Sequence, residues 1–316
     1  MGAYNQYLVD LVDRFWRYRS TRFANEQAIF DERDRRDMRP PVFSPNHEPR
    51  NVIVDPQLSQ SEACQVRRML PLGERHRWFR SMRSSQALVQ SVFANLCAMK
   101  LCAALQVVTT DEGCHPFQGI SPDGSSLTLE RSVTALGEPS PTSIDIAVQG
   151  ALNIAIECKL AERDVGHCSR PKLNEDEPDH CDGSYRCQHG RNERCALAVL
   201  GIKYWKFLPR LFKWRADQDH AICPLRSTYQ LVRNVLAASI GEDGEVVPGF
   251  AVLLFDERNP EFHKDGLGGR TFALVKDALQ EPDRLQRLSW QTVMQALRKV
   301  PRLQWLKSEL TEKYGL

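Results

Sequence analysis

"SIDIAVQGALNIAIECKL", residues 143–160, alternates apolar and polar positions along two short runs that meet at a glycine. In 152–160 the even positions are Leu152, Ile154, Ile156, Cys158 and Leu160, and the odd ones Asn153, Ala155, Glu157 and Lys159. In 143–149 the even positions are Ile144, Ile146 and Val148, and the odd ones Ser143, Asp145, Ala147 and Gln149. Each run therefore reads as a strand with one apolar face and one face that carries the charges. A three-residue loop at Gly150-Ala151-Leu152 joins like faces and pairs Gln149 with Asn153, Ala147 with Ala155, and Asp145 with Glu157. A shift by one residue would destroy the apolar face, whereas a shift by two keeps the carboxylates as diagonal neighbours.

Opposed carboxylates repel and destabilise a sheet. A divalent cation offsets that repulsion, and hard oxygen ligands with room beside Ala147 and Ala155 describe a Mg²⁺ (or Mn²⁺) site. The alternative is a solvent-facing hairpin on which Glu157 and Lys159 pair to little effect.

The rest of the chain sets the frame. Its 316 residues, 42% hydrophobic and 26% charged with net charge +2, are ordinary for a soluble globular protein large enough for a sizeable core. Polyanion binding must then come from local patches. Arg67, Arg68, Arg75, Arg77, Arg80, Arg83 and Lys100 make one. Lys203, Lys206, Arg210, Lys213 and Arg215, interleaved with Tyr204, Trp205, Phe207, Phe212 and Trp214, make another. Each patch reads either as a solvated helix face or as a phosphate-tracking surface. The opening "MGAYNQYLVDLVDRFWRYRS" is an amphipathic helix rather than a signal sequence, and no run of about 18 apolar residues exists. A cytoplasmic protein without membrane contact is expected, in which cysteines are buried, catalytic or metal-bound rather than paired.

Residues 1–37 read as charged amphipathic helices and 38–62 as a Pro- and Ser-rich linker, together an N-terminal segment over 1–62. The Ser-capped "SSQALVQSVFANLCAMKLCAAL", 84–105, is a core helix. Strands are expected at 126–133, 143–149, 152–160 and 248–256, and helices at 193–214 (interrupted at Pro209) and 226–240. The order predicts an α/β layer whose mixed sheet begins as an antiparallel meander, with a core over 63–260. The tail, 261–316, reads as short helices broken at Pro301, and "GLGG" at 266–269 as a turn.

Asp145, eleven intervening residues, then Glu157-Cys158-Lys159, on paired strands after a helix, resembles the PD-(D/E)xK nuclease superfamily. The match spans roughly 80–256, and within the superfamily the chain is similar to restriction-endonuclease-like bacterial proteins with "SSQA" on a first helix and "YQL-RN" on a later one. Ser143-Ile144 stands where the family has a proline before the aspartate, although Pro141 is near. The resemblance implies a restriction-endonuclease-like core in which Asp145 and Glu157 ligate Mg²⁺, with the Cys158 carbonyl as a further ligand. Lys159 would orient or deprotonate the attacking water. Glu130, in the preceding strand, is a candidate further carboxylate. Gln86, Gln230 and Arg233 are candidate contacts to DNA backbone, Gln230 matching a glutamine that some superfamily exonucleases carry after the core lysine. For each of these four, an ordinary surface role is the alternative.

Between the core lysine and the next helix lies a polar insert, 161–195, with Cys168, Cys181, Cys187 and Cys195 separated by twelve, five and seven residues. A loop so poor in apolar residues needs a staple, and a structural Zn²⁺ on these thiols would provide one, in preference to an iron–sulfur cluster. Cys223 is an alternative to Cys195. No GxxxxGK[ST], GxSxG or HExxH string is present. The expected function is Mg²⁺-dependent hydrolysis of DNA phosphodiesters, in restriction or antiviral defence. The alternatives are a nucleic-acid-binding or assembly module that keeps the fold without the activity, and a nuclease active only inside a larger defence complex. A homodimer is a further possibility for an enzyme of this kind.

Overall fold

The computed structural model describes residues 1–31, 39–139 and 142–316. The end of the first expected helical segment, 32–37, and Pro141 lie outside the described residues.

The hairpin forms in the expected register, with Gln149 opposite Asn153, Ala147 opposite Ala155 and Ile146 opposite Ile156. Strands β1 (Leu127–Val133), β2 (Thr142–Gln149) and β3 (Asn153–Lys159) make an antiparallel meander. Strand β4 (Gly249–Phe255) joins β3 in parallel, and β5 (Leu285–Ser289) joins β4 in parallel, giving the order β1-β2-β3-β4-β5. Gly249 admits the close approach of β3. A side chain there would meet Ala238 O and come within 2.5 Å of Asn153 O.

Helices cover both faces of this sheet. They are α1 (Ala3–Arg22), α2 (Gln60–Arg68), α3 (85–98, with a wide π-type turn at Gln90–Ala94), α4 (Tyr204–Leu211), α5 (Leu225–Ser239), α6 (Leu267–Ala278), α7 (Trp290–Leu297) and α8 (Gln304–Tyr314). Ile146, Val148, Ile154, Ile156 and Cys158 pack against α1, α3, α7 and α8. Ala147, Ala155, Ala251 and Leu253 pack against α4, α5 and α6. Burial on both faces explains why β4 reads as a continuous apolar run. It also means that the odd-numbered face of the hairpin lies under α5 rather than in solvent.

Several sequence expectations need correction. The tail is not purely helical, because residues 285–289 supply the fifth strand, too short and too mixed in polarity to show a period. Helix 84–105 ends near Ala98, where Lys100 adopts a left-handed φ of 58°. The stretch 193–214 divides into one turn, Ala196–Val199, and α4, and Pro209 sits within α4 rather than between helices. "GLGG" opens α6, and its glycines let the helix start press on Phe262 and His263. The alternation of the first hairpin strand also fails at one end: Ile146 packs on the α1 side, while Ile144 packs with the α5 cluster. The break coincides with Glu130 on β1, whose φ of 50° interrupts the β1–β2 pairing between Leu129↔Ile146 and Arg131↔Ile144.

The second basic patch belongs to the packing of α4. Tyr204, Trp205, Phe207 and Phe212 are buried, Arg210 pairs with Glu245, and Arg215 with Asp217. In the first patch Arg75 is held by Glu48 and Arg80 by Asp31, which leaves Arg83 facing a cavity described below.

Candidate active site

Where β2 and β3 part, the Asp145 carboxylate takes over a backbone partner. Its Oδ2 accepts from the Cys158 N–H at 2.7 Å, just beyond the last recorded pair of the ladder, Ile146↔Ile156. The extrapolated register sets Asp145 opposite Glu157 on one side, and on the other opposite Glu130 across the interrupted β1 pairing. The left-handed backbone at Glu130 is rare for a residue with a Cβ and coincides with three carboxylates drawn to one cavity.

Glu157 is 3% exposed and Lys159 7%, so neither belongs to a solvent-facing hairpin. Lys159 Nζ donates to Glu157 Oε1 at 2.8 Å and to Gln230 Oε1 at 2.9 Å. Gln230 Nε2 donates to Glu157 Oε1 at 2.6 Å, and Asn234 Nδ2 donates to Glu157 Oε2 at 2.7 Å. Gln230 and Asn234, four residues apart on α5, share the helix face above β3. Asn234 is one of the site residues that the sequence reading missed.

Electrostatics follow from burial and charge crowding. Burial pushes the Asp145 carboxyl well above the usual carboxylate range, and the neighbouring charges of Glu157 and Glu130 push it further. Burial likewise raises Glu130, against hydrogen bonds from Ser143 and Gln86 that stabilise its charged form. For Lys159 burial favours the neutral amine, but Glu157, Glu162 and Asp145 outweigh it and hold the ammonium charged above its ordinary range.

These groups line a cavity of about 850 Å³ together with Arg39, His76, Trp78, Arg83, Glu162 and Arg233. Arg233 lines the cavity, and its Nε is buried without a hydrogen-bond partner among the described residues. Gln86 is engaged differently from a free DNA contact. Its Nε2 donates to Glu130 Oε1 at 2.6 Å and to Glu74 O, and its Oε1 accepts from His76 N–H. Glu162, also unforeseen, caps the end of β3 by accepting from Leu160 N–H at 2.7 Å.

The donor set is oxygen-only and carries more negative charge than Lys159 neutralises, which suits a hard divalent cation. Among the described residues no three His, Cys, Asp or Glu side chains are already gathered tightly enough to hold an ion. Asp145, Glu157 and Glu130 instead stand around the cavity, each engaged by a donor of the chain itself.

The cysteines divide. Cys168, Cys181, Cys195 and Cys223 line one small cavity on the far side of α5's first turn. Cys187 is exposed, its Sγ donating to Asn192 O at 3.4 Å. All ten cysteines of the chain are free thiols. No helix among the described residues is long and apolar enough to cross a membrane.

Comparison with known proteins returns one family, described as Restriction Endonuclease associating with ARP, whose match covers residues 24–315. No curated protein and no solved structure matches the chain.

Proposed function

The chain belongs to the family of restriction endonucleases associating with ARP, and from that premise we propose that it hydrolyses DNA phosphodiesters at the β2–β3 hairpin. One observation carries this reading: Asp145, Glu157, Glu130 and Lys159 converge on one cavity that Arg233 also lines. Asp145 and Glu157, with Glu130 beside them, are the residues that would hold Mg²⁺ or Mn²⁺. Such an ion, when bound, supplies Lewis-acid charge to a phosphodiester and makes water more acidic.

The chain's own residues do the rest. Lys159, with Nζ 2.8 Å from Glu157 Oε1 and 2.9 Å from Gln230 Oε1, stands where it can orient water and offer positive charge to the phosphate. Gln230 and Asn234 fix the Glu157 carboxylate, so that it need not reorganise when substrate arrives. Arg233, Arg83 and Arg39 are placed to take flanking phosphates, and exposed Trp78 offers a face on which a base can stack.

The family's description supports a second element, that the protein acts together with an ARP partner. Incubation of plasmid and single-stranded DNA with the purified protein, with and without that partner, in Mg²⁺, Mn²⁺ or EDTA, tests both elements. Metal-dependent cutting in either arm supports the nuclease reading. DNA binding without cutting in every arm would favour a module that keeps the fold alone.

A further inference from the structure

Residues 161–195 contribute little to the hydrophobic clusters; Val165, Cys168 and Tyr185 are among the few buried there. What orders the segment is its attachment to the chain just before and within α5. Cys168 N–H donates to Arg226 O at 3.1 Å, and Cys223 N–H donates to Gly183 O at 2.8 Å. Tyr185 and His220 exchange backbone hydrogen bonds of 2.9 Å, and the Tyr185 ring stacks on Trp205 with centroids 3.6 Å apart. These attachments bring Cys168 and Cys181 from the segment, Cys195 from its end and Cys223 from the residue before Pro224 to the wall of one cavity of about 10 Å³. Each of the four lies within electrostatic reach of others in the group.

We propose that Cys168, Cys181, Cys195 and Cys223 form a structural zinc site that clamps residues 161–195 to the start of α5. Four thiols are the ligand set of a closed structural zinc centre, and sulfur selects against Mg²⁺ and Ca²⁺. The cavity has room for about one water-sized body, enough for a single ion. The thiols stand around the cavity rather than closed on an ion; binding draws them in and sends their protons to solvent. Cys187, at the surface, takes no part. The clamp sits at the N-terminal end of α5, the helix whose Gln230 and Asn234 reach Glu157, so it steadies the helix that positions the candidate active site without touching substrate.

The test is zinc content of the full chain, purified without added metal and again after reconstitution with Zn²⁺ alone, for wild type, Cys187→Ser and Cys223→Ser. The expected result is about one zinc per chain in wild type and Cys187→Ser, and a drop of about ten-fold or more in Cys223→Ser. Should Cys223→Ser fail to fold, thiol titration of wild type answers instead: zinc shields Cys168, Cys181, Cys195 and Cys223 from reagent, and a strong chelator exposes them. No zinc uptake by wild type would overturn the proposal. So would equal loss in Cys187→Ser, or iron with labile sulfide in place of zinc.

Discussion

Asn234 on α5 donates its Nδ2 to Glu157 Oε2 at 2.7 Å, tying the helix of one layer to a buried carboxylate in the middle of the sheet. With Gln230 and Lys159 on the other oxygen, Glu157 has donors on both sides. Asn234→Ala leaves one oxygen of a buried carboxylate unpaired and free to turn. The expected outcome is a rise of about 10–100-fold in the Mg²⁺ concentration needed for half-maximal cleavage, measured by metal titration. An unchanged metal requirement would show that Asn234 does not position Glu157.

Gly166, at φ 89°, brings the chain against Gln230, and a Cβ there would lie 2.5 Å from Gln230 Oε1. Gly166→Ala should therefore displace the amide that bridges Lys159 and Glu157, besides straining a left-handed backbone by about 1–2 kcal/mol. Both a lower melting temperature and slower cleavage are expected, the second persisting at temperatures where the variant is fully folded. Normal cleavage by the folded variant would free Gln230 of any part in the site.

Glu130 faces Asp145 across the interrupted β1–β2 pairing and adds to the charge that raises it. Glu130→Gln keeps an acceptor for the Gln86 amide while removing one buried charge. In EDTA the variant should be more stable than wild type by about 0.2–1 kcal/mol, and the further stabilisation that Mg²⁺ brings should shrink. Denaturant melts with and without metal read both. A variant less stable in EDTA, with full Mg²⁺ stabilisation, would contradict the repulsion.

Lys313 on α8 is buried with no carboxylate partner among the described residues; its Nζ donates to Asn51 O and to Asn51 Oδ1 at 2.8 Å, beside Tyr18 and Tyr314. Burial pulls its pKa down from 10.5 to about 7. Between these values the unfolded chain holds the extra proton, so stability rises with pH across this window and the penalty is full below about pH 7. Wild type should gain about 1–2 kcal/mol between about pH 7 and pH 9 relative to Lys313→Met, read from urea midpoints. Parallel pH profiles for the two proteins would place Lys313 outside this role.

Much of the fold was legible because it is written locally. The period-two pattern and the turn at Gly150 give the hairpin its register, and Ile146, Val148, Ile154, Ile156 and Cys158 lie on one face as that pattern requires. Strand β5 was not legible: Gln286 is fully buried and Thr110 Oγ1 donates to it at 2.9 Å, a partner supplied only by the tertiary fold. The left-handed turn at Glu130 carries no mark in the sequence either, since a glutamate there is read as an ordinary strand residue. Asn234 sits in an otherwise apolar stripe, where a lone amide is read as a core residue until β3 is placed beneath it. Proximity along the chain favoured Cys187 as a thiol partner, whereas the return of the chain brings Cys223 to the other three.

The most direct measurement compares wild type and Lys159→Ala on one labelled DNA, following binding and cutting in the same samples with Mg²⁺ and with EDTA. If the hairpin carries the chemistry, Lys159→Ala should bind within a few-fold of wild type and cut about 10²-fold more slowly or less, with EDTA abolishing cutting in both. Cutting by Lys159→Ala at the wild-type rate would place the phosphodiester chemistry elsewhere in the chain.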